Sequence, residues 1–560
     1  MKMKKSYKQQ AAVVILAALS CASCSDKWDE HYSEAKDGIV NTTIWQAIES
    51  KPDLSHFAKV IKACGYDAKL DGSQTYTVFA LTNSGLSEST ADSLVNVYNK
   101  QKAAGVKDEE NTVIKQILQN HIALYKKSVS TTTNDSLRMM NGKYQMFTPT
   151  SIGGGNFETK NVLYNNGILY TIGNALSYAP NIAEYLATDE ELDSINKFVK
   201  SFGVYEFDAS QSVPGGIVDG KTQYLDSVTV YNNAFYTLYG YINSEDSTYW
   251  VLAPTNAEWN RLVEEYTPYF NYDTRVDDRD SLQFTNARLA IVRSAFFNRS
   301  GQSDIAFQDS AVSTYAEMRK LLSIESHMGD VFYKPFASGG IFEGTKDISL
   351  SNGHIRKASN FRISKFDTFL KTISCEAEQT LYQDTLYNAI DPMTVRSVLS
   401  NNPFYGQVSG NLFVEISPDA LGAQPSVTFK IPDVLSNVAY DIYAIFVPAL
   451  AYDTLATEDQ RLPVKFRAQV GYQQSGVTKW ERNASFTTKA DVIDTIKIKS
   501  NYKFKTASWG LSDYQAKVKI YTDVPTNQTS KYQTTMRIDC IIVKPHDAPV
   551  SEAKEYKVTY

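Results

Sequence analysis

The side chains able to do chemistry are few and scattered. The six histidines, His31, His56, His121, His327, His354 and His546, show no pair at the short spacing that sets two ring nitrogens around one ion. The chain has no G-x-S-x-G elbow to raise a serine, no Walker loop, no dinucleotide fingerprint and no H-E-x-x-H helix. Gly153-Gly154-Gly155-Asn156 lacks the following Lys-Ser/Thr of a phosphate cradle and reads as a flexible loop. Glu190-Glu191 and Glu264-Glu265 are adjacent carboxylates on helices, so they point apart. A glycosidase pair instead faces across a cleft, about 5 to 9.5 Å apart. These patterns nominate no catalytic residue, metal or cofactor, and the expectation is a protein that is not an enzyme.

Binding chemistry is better represented. The 36 tyrosines and 26 phenylalanines give apolar rings, and tyrosine adds a polar tip suited to wet recognition surfaces. Strand-rich secreted proteins use the same residues for packing. Trp480 and Trp509 offer flat faces that stack on sugar rings if exposed, or that fill a strand face if not. His121 is a third candidate contact, with a core hydrogen-bonding role as its alternative. The charge balance, 56 basic against 62 acidic residues for a net −6, has no basic run beyond the N-terminus and argues against nucleic acid.

The N-terminus sets the expected compartment. Lys2, Lys4, Lys5 and Lys8 precede an apolar run from Ala11 to Leu19, then Ser20-Cys21-Ala22-Ser23-Cys24. The run is far short of the roughly 20 residues of a membrane span, so it reads as a secretory signal. Its end resembles a bacterial lipoprotein box, in which the cysteine is acylated and begins the mature chain. Cys21 has Ala18, Leu19 and Ser20 before it. Cys24 is followed by Ser25-Asp26-Lys27-Trp28-Asp29-Glu30, an acidic start similar to that of surface lipoproteins of the Bacteroidota type. Cys24 is the preferred anchor and Cys21 the alternative. Two or three acyl chains, at about 0.8 kcal/mol per buried CH₂, hold a protein stably at a bilayer. The remaining cysteines, Cys64, Cys375 and Cys540, are too far apart for a disulfide framework and lack zinc spacing.

Elements follow from periodicity. Ile44, Ala47 and Ile48 share a helical face, and Asp53 after Pro52 is placed to cap a helix bearing Leu54, Phe57, Val60 and Ile61. Tyr76 to Ala80 read as a strand running into Leu81-Thr82-Asn83. Ile114, Ile117, Leu118 and Ile122 have helical spacing beside His121. Asn141-Gly142 and Asn166-Gly167 supply turns, the second feeding Ile168 to Ile172. A second set follows. Asp189 precedes a stripe of Leu192, Ile195, Phe198, Val199 and Phe202. Trp250 to Asn256 restate the first strand, and Asn352-Gly353-His354-Ile355 restate the closing one. The stretches from Tyr205 to Tyr224 and from Tyr272 to Asp280 read as surface insertions. The Thr82-Asn83 and Thr255-Asn256 pairs read as backbone caps at the start of the next helix.

In that order, Thr77 to Asn83, His121 on its helix, Asn141-Gly142 and Asn166 to Ile172 resemble the fasciclin-like domain. Leu81 replaces the family's proline, Asn120 its tyrosine, and in the second copy Ala295 stands where His121 stood. The resemblance implies an α+β fold and, from animal relatives, an adhesive surface on the helix bearing His121. From about residue 381 the texture changes to period-two alternation. Seven strands, from Leu412–Ile416 through Met536–Ile542, point to an antiparallel β-sandwich, of which a jelly roll is one form.

The expected layout is a signal peptide 1–23, a lipidated tether 24–40, fasciclin-like domains at 41–180 and 181–378, and a β-sandwich at 381–560. The expected role is a non-enzymatic outer-membrane surface lipoprotein that binds a polysaccharide or a surface protein, accessory to a glycan uptake system. A cell–cell or matrix adhesin using the fasciclin-like domains is the alternative.

Overall fold

The computed structural model describes residues 40–218, 220–315 and 330–549. The signal segment, Cys21, Cys24, the tether and His327 lie outside them. No helix among the described residues is long and apolar enough to cross a membrane. The chain divides into two compact units, one ending at Asn181 and including Ser244–Asp246, the other holding the rest from Ile182.

The first unit begins with helices α1 (Ile44–Ser50), α2 (Ser55–Ala63) and α3 (Glu88–Ala103). Thr43 and Gln46 form a reciprocal capping box on α1. Its strands are β1 (Tyr76–Leu81), β2 (Ile122–Leu124), β3 (Asp135–Arg138), β4 (Tyr144–Phe147), β5 (Ser151–Ile152), β6 (Gly155–Tyr164) and β7 (Gly167–Ile172). They form one sheet, ordered β2-β1-β7-β6-β5-β4-β3. β1 and β7 are parallel and buried along their whole length, as the continuous apolar runs require.

The Asn166-Gly167 turn does more than reverse the chain. Gly167 has φ +154°, and a Cβ there would fall 2.0 Å from the Tyr76 carbonyl oxygen, so only glycine lets β7 enter beside β1. The Asn166 side chain accepts from the Ile44 amide at the start of α1 (2.9 Å) and donates to the carbonyls of Leu70 (2.7 Å) and Gly72 (2.8 Å).

The second unit repeats this device. It opens with α4 (Ile182–Thr188), α5 (Asp193–Lys200), the strands β8 (Gly203–Val218) and β9 (Lys221–Asn233), β10 (Tyr249–Pro254), α6 (Asn256–Tyr266) and α7 (Arg279–Val292). Then come β11 (Phe296–Asn298), β12 (Ser310–Val312), β13 (Val331–Tyr333), β14 (Lys346–Leu350) and β15 (Gly353–Ala358). The sheet order is β11-β10-β15-β14, with β10 and β15 parallel. Tyr249 stands opposite Gly353 as Tyr76 stands opposite Gly167. Gly353 has φ +135°. Asn352 accepts from the Ile182 amide (2.9 Å) and donates to the Ile242 carbonyl (2.8 Å). The strand-end asparagines correspond too. Asn83 accepts from the His56 amide and donates to the Pro52 carbonyl, while Asn256 accepts from the Ser194 amide and donates to the Glu190 carbonyl.

Several expectations are corrected. Asp53 lies inside a short 3₁₀ turn, and the start of α2 is capped by Asn83 instead. The segment from Ile114 to His121 is a π turn followed by a 3₁₀ turn, and Ile122 already belongs to β2. The stretch from Tyr205 to Tyr224 remains an exposed insertion, and it takes the form of the long β8–β9 hairpin. Tyr272 is 1% exposed and pairs with Ala507 of the C-terminal segment, so it is a packing residue.

The C-terminal segment adds β16 (Ile373–Glu376), β17 (Gln383–Tyr387), β18 (Thr394–Ser397), β19 (Leu412–Ile416), β20 (Ser426–Ile431) and β21 (Ala439–Phe446). It continues with β22 (Lys465–Gln474), β23 (Val477–Trp480), β24 (Ala484–Thr487), β25 (Asp494–Lys503), β26 (Ala516–Thr522) and β27 (Met536–Pro545). One six-stranded sheet runs β18-β19-β27-β21-β25 with β16 beside β27. The other runs β17-β20-β26-β22-β23 with β24 beside β22. Their inner faces meet in one apolar core, where the Phe446 and Phe466 rings are 4.5 Å apart.

Candidate functional site

Alternation along β20, β26 and β22 sends Val427, Phe429, Val518, Ile520, Ala468 and Val470 into the core. The intervening residues therefore face outward, and their registers build three rows across the sheet. In the first row Tyr387, Ser426, Tyr521, Arg467 and Ser485 lie side by side. The second holds Thr428, Lys519 and Gln469. The third holds Lys430, Lys517, Gly471 and Trp480.

Trp480 lies against Gly471 because Gly471 has no side chain. A Cβ there would sit 3.0 Å from ring atoms Cε3 and Cζ3 and 2.9 Å from Thr478 Cγ2. The ring keeps 38% exposure on an edge strand. The Tyr521 hydroxyl accepts from Asn483 Nδ2 at 2.6 Å, which holds that ring in place. Tyr387 is 70% exposed. Ion pairs join Lys517 to Asp384 and Arg467 to Asp523, both at 2.8 Å. The face thus combines fixed aromatic rings with donors and charged groups. That is the equipment for holding a polar chain with apolar ring faces, such as a glycan.

The other sequence candidates lie elsewhere. His121 is fully buried. Its Nδ1 donates to the Ile117 carbonyl (2.7 Å) and its Nε2 accepts from the Leu176 amide (3.0 Å). Burial pushes the imidazole down to about 4, with the Ile117 carbonyl opposing. It is a core histidine with no open face for a partner. Asn120, in the place of the expected tyrosine, is also buried and donates to the Leu176 and Ser177 carbonyls. Trp509 is half-buried. Phe270 meets its ring edge-on at 6.0 Å and the Arg293 guanidinium lies 5.6 Å from its centroid. Its ring serves contacts with the second repeat and is absent from the outer face that carries Trp480.

One grouping was invisible in the sequence. Glu376, Asp539 and Cys540 bring their donor atoms within 4.8 Å of one another, because β16 pairs with β27 and sets Glu376 opposite Cys540. Asp539 is 1% exposed. Burial raises its carboxyl to about 8, against the opposing Ser409 amide, with Glu376 and Glu378 adding to the rise. The Oε2 atoms of Glu376 and Glu378 are buried without a hydrogen-bond partner. Oxygen donors of this kind suit a hard divalent cation, whereas burial keeps the Cys540 thiol protonated. Cys64, Cys375 and Cys540 are all buried and free.

No protein-family profile matches the sequence, and no curated protein does. Solved structures do. A FAS1 domain pair of the insect cell adhesion molecule fasciclin I is 12% identical, covering 56% of this chain and 98% of that one, with a TM-score of 0.17. A CBM22-1 xylan-binding domain from Paenibacillus barcinonensis is 12% identical, covering 31% and 93%, with a TM-score of 0.19. A family 11 carbohydrate-binding module from Clostridium thermocellum, complexed with a mixed-linked tetrasaccharide, is 10% identical, covering 31% and 95%, also at 0.19. The hydrogen bonds of the chain itself define its organisation: two copies of one helix–sheet device, Asn166-Gly167 and Asn352-Gly353, followed by a β-sandwich.

Proposed function

We propose that this protein is a non-enzymatic surface lipoprotein that binds a polysaccharide through the outer face of the β17-β20-β26-β22-β23 sheet. The lipid on Cys24, or on Cys21, would hold it at the outer membrane. The observation that carries the binding reading is the exposed Trp480 ring, packed against Gly471 in a row with Lys517 and Lys430. A glycan-array screen of the chain from Ser25 tests it. Binding to a polysaccharide class, lost in Trp480→Ala, is the expected result. Silence across the array, or binding indifferent to Trp480→Ala, would overturn it.

The adhesin reading has its own observation. The β8–β9 hairpin exposes Val204, Tyr205, Phe207 and Ile217 at 48–77%, more apolar surface than a free two-stranded ribbon needs. Deleting residues 206–228 while retaining polysaccharide binding would separate the two roles, since aggregation of displaying cells would then depend on the hairpin alone.

A further inference from the structure

The outer sheet face carries an electrostatic arrangement that its own stability does not call for. Lys430 and Lys517 stand directly opposite each other on β20 and β26. Like charges in that relation repel and weaken a sheet. Lys519 follows Lys517 on the same side of β26, about 6.8 Å along the strand. Arg467 and Lys465 add two more cations from the neighbouring β22. Against these five stand two carboxylates, Asp384 on Lys517 and Asp523 on Arg467. Among the described residues Lys430 and Lys519 form no ion pair, and Lys519 instead lies 5.9 Å from the Tyr521 ring centroid. The surplus is therefore three positive charges on one face of a chain whose net charge is −6.

From this face we infer that the polysaccharide is acidic, a polymer whose sugar rings carry carboxylates. The inference rests on the binding reading above and names its ligand class. A uronate residue has two chemical faces: apolar C–H groups on its ring, and an anion at its rim. Trp480 and Tyr521 meet the first, and Lys430 and Lys519 meet the second. Lys519 lies beside the Tyr521 ring, and Lys430 ends the row that begins at Trp480. Asp384 already meets the charge of Lys517, so an anion on this face is drawn to Lys430 and Lys519, which no carboxylate pairs among the described residues. A nucleic acid would meet the same charges, so a non-sugar polyanion belongs among the probes.

The test uses the chain from Ser25 and compares polygalacturonate with its carboxyl-reduced counterpart, a neutral polymer of the same linkage. Alginate is added as a second uronate, and poly(dT) as a non-sugar polyanion. The expected result is that a uronate polymer binds at least about tenfold tighter than the carboxyl-reduced polymer. That preference should weaken steeply between 50 and 300 mM salt, as screening shortens to several ångströms. Lys430→Gln with Lys519→Gln should lose about tenfold for the uronate polymer and nothing for the neutral one. These two lysines lack ion pairs, so their removal leaves the melting temperature unchanged or raised, and a loss of binding cannot be a loss of fold. Equal affinity for charged and reduced polymers, or poly(dT) binding as tightly as the uronates, would overturn the acidic-ligand inference while leaving the platform intact. No binding to any of the polymers would overturn the inference, and silence on the glycan array as well would remove the reading beneath it.

Discussion

At the scale of single residues, the face depends on an absence at Gly471. Gly471→Ala would place a methyl 2.9–3.0 Å from Thr478 and the Trp480 ring, so the indole must tilt off the sheet. The strand itself loses little, about 1 kcal/mol. We expect Gly471→Ala to keep the fold, change the near-ultraviolet signal of Trp480, and weaken polysaccharide binding several-fold. Unchanged binding would show that the position of the ring is immaterial. His121 makes the complementary case, a residue whose work is wholly internal. Its folded value near 4 lies below the ordinary 6.5, so the unfolded chain takes up a proton first as pH falls. Stability is then lost across the window from 6.5 down to 4, by about 3 kcal/mol in full. Chemical denaturation of the first unit at pH 7 and at pH 4.5 checks this. The predicted fall should be flattened in His121→Gln. A first unit equally stable at both pH values would contradict the buried, neutral ring.

At the scale of elements, the two asparagine–glycine turns hold the repeats together. Asn352→Ala removes the acceptor for the Ile182 amide and one of two donors to the Ile242 carbonyl, which keeps the Ala183 amide, so one buried backbone group is left unpaired. The expected cost is about 1–3 kcal/mol, and Asn166→Ala, which strips partners from the Ile44 amide and the Leu70 and Gly72 carbonyls, should cost at least as much in the first unit. Thermal unfolding of the two variants checks both, and a change below 0.5 kcal/mol in either would contradict the account. Much of this architecture was legible in the sequence. The seven alternating runs of the C-terminal segment are β19 to β22 and β25 to β27, because an inner strand face must be apolar at every second residue. The short strands β16, β17, β18, β23 and β24 escaped notice, since Gln383–Tyr387 and Thr394–Ser397 carry little periodic signal. The partner of Asn83 is hidden in the sequence for a related reason. Capping logic looks to the next helix, whereas Asn83 caps the one before β1, a contact across 27 residues. The Trp480 platform was half legible. The tryptophan was evident, but Gly471, Tyr521 and Lys430 join it only through strand register. Glu376 and Asp539 are 163 residues apart and meet through the β16–β27 ladder.

At the scale of the molecule, the second repeat and the sandwich belong to one compact unit. The Tyr272 hydroxyl donates to the Trp509 carbonyl (3.0 Å), Ser436 Oγ donates to the Pro268 carbonyl (2.7 Å), and the Ala507 amide donates to the Asn271 carbonyl (2.7 Å). A fragment starting at residue 372, which keeps β16 on β27, loses these partners and uncovers part of its core. We expect it to melt at least about 5 °C below a fragment spanning 182–549, and equal melting temperatures would show that the shared packing is not stabilising. The central claim concerns the outer sheet face, and affinity electrophoresis of the chain from Ser25 beside its Trp480→Ala variant, in gels cast with polygalacturonate, tests it most directly. The account predicts that the polymer retards the parent chain and that Trp480→Ala, at a cost of about 2 kcal/mol or roughly thirtyfold in affinity, runs as if no polymer were present. Equal retardation of both proteins, or of neither, would contradict it.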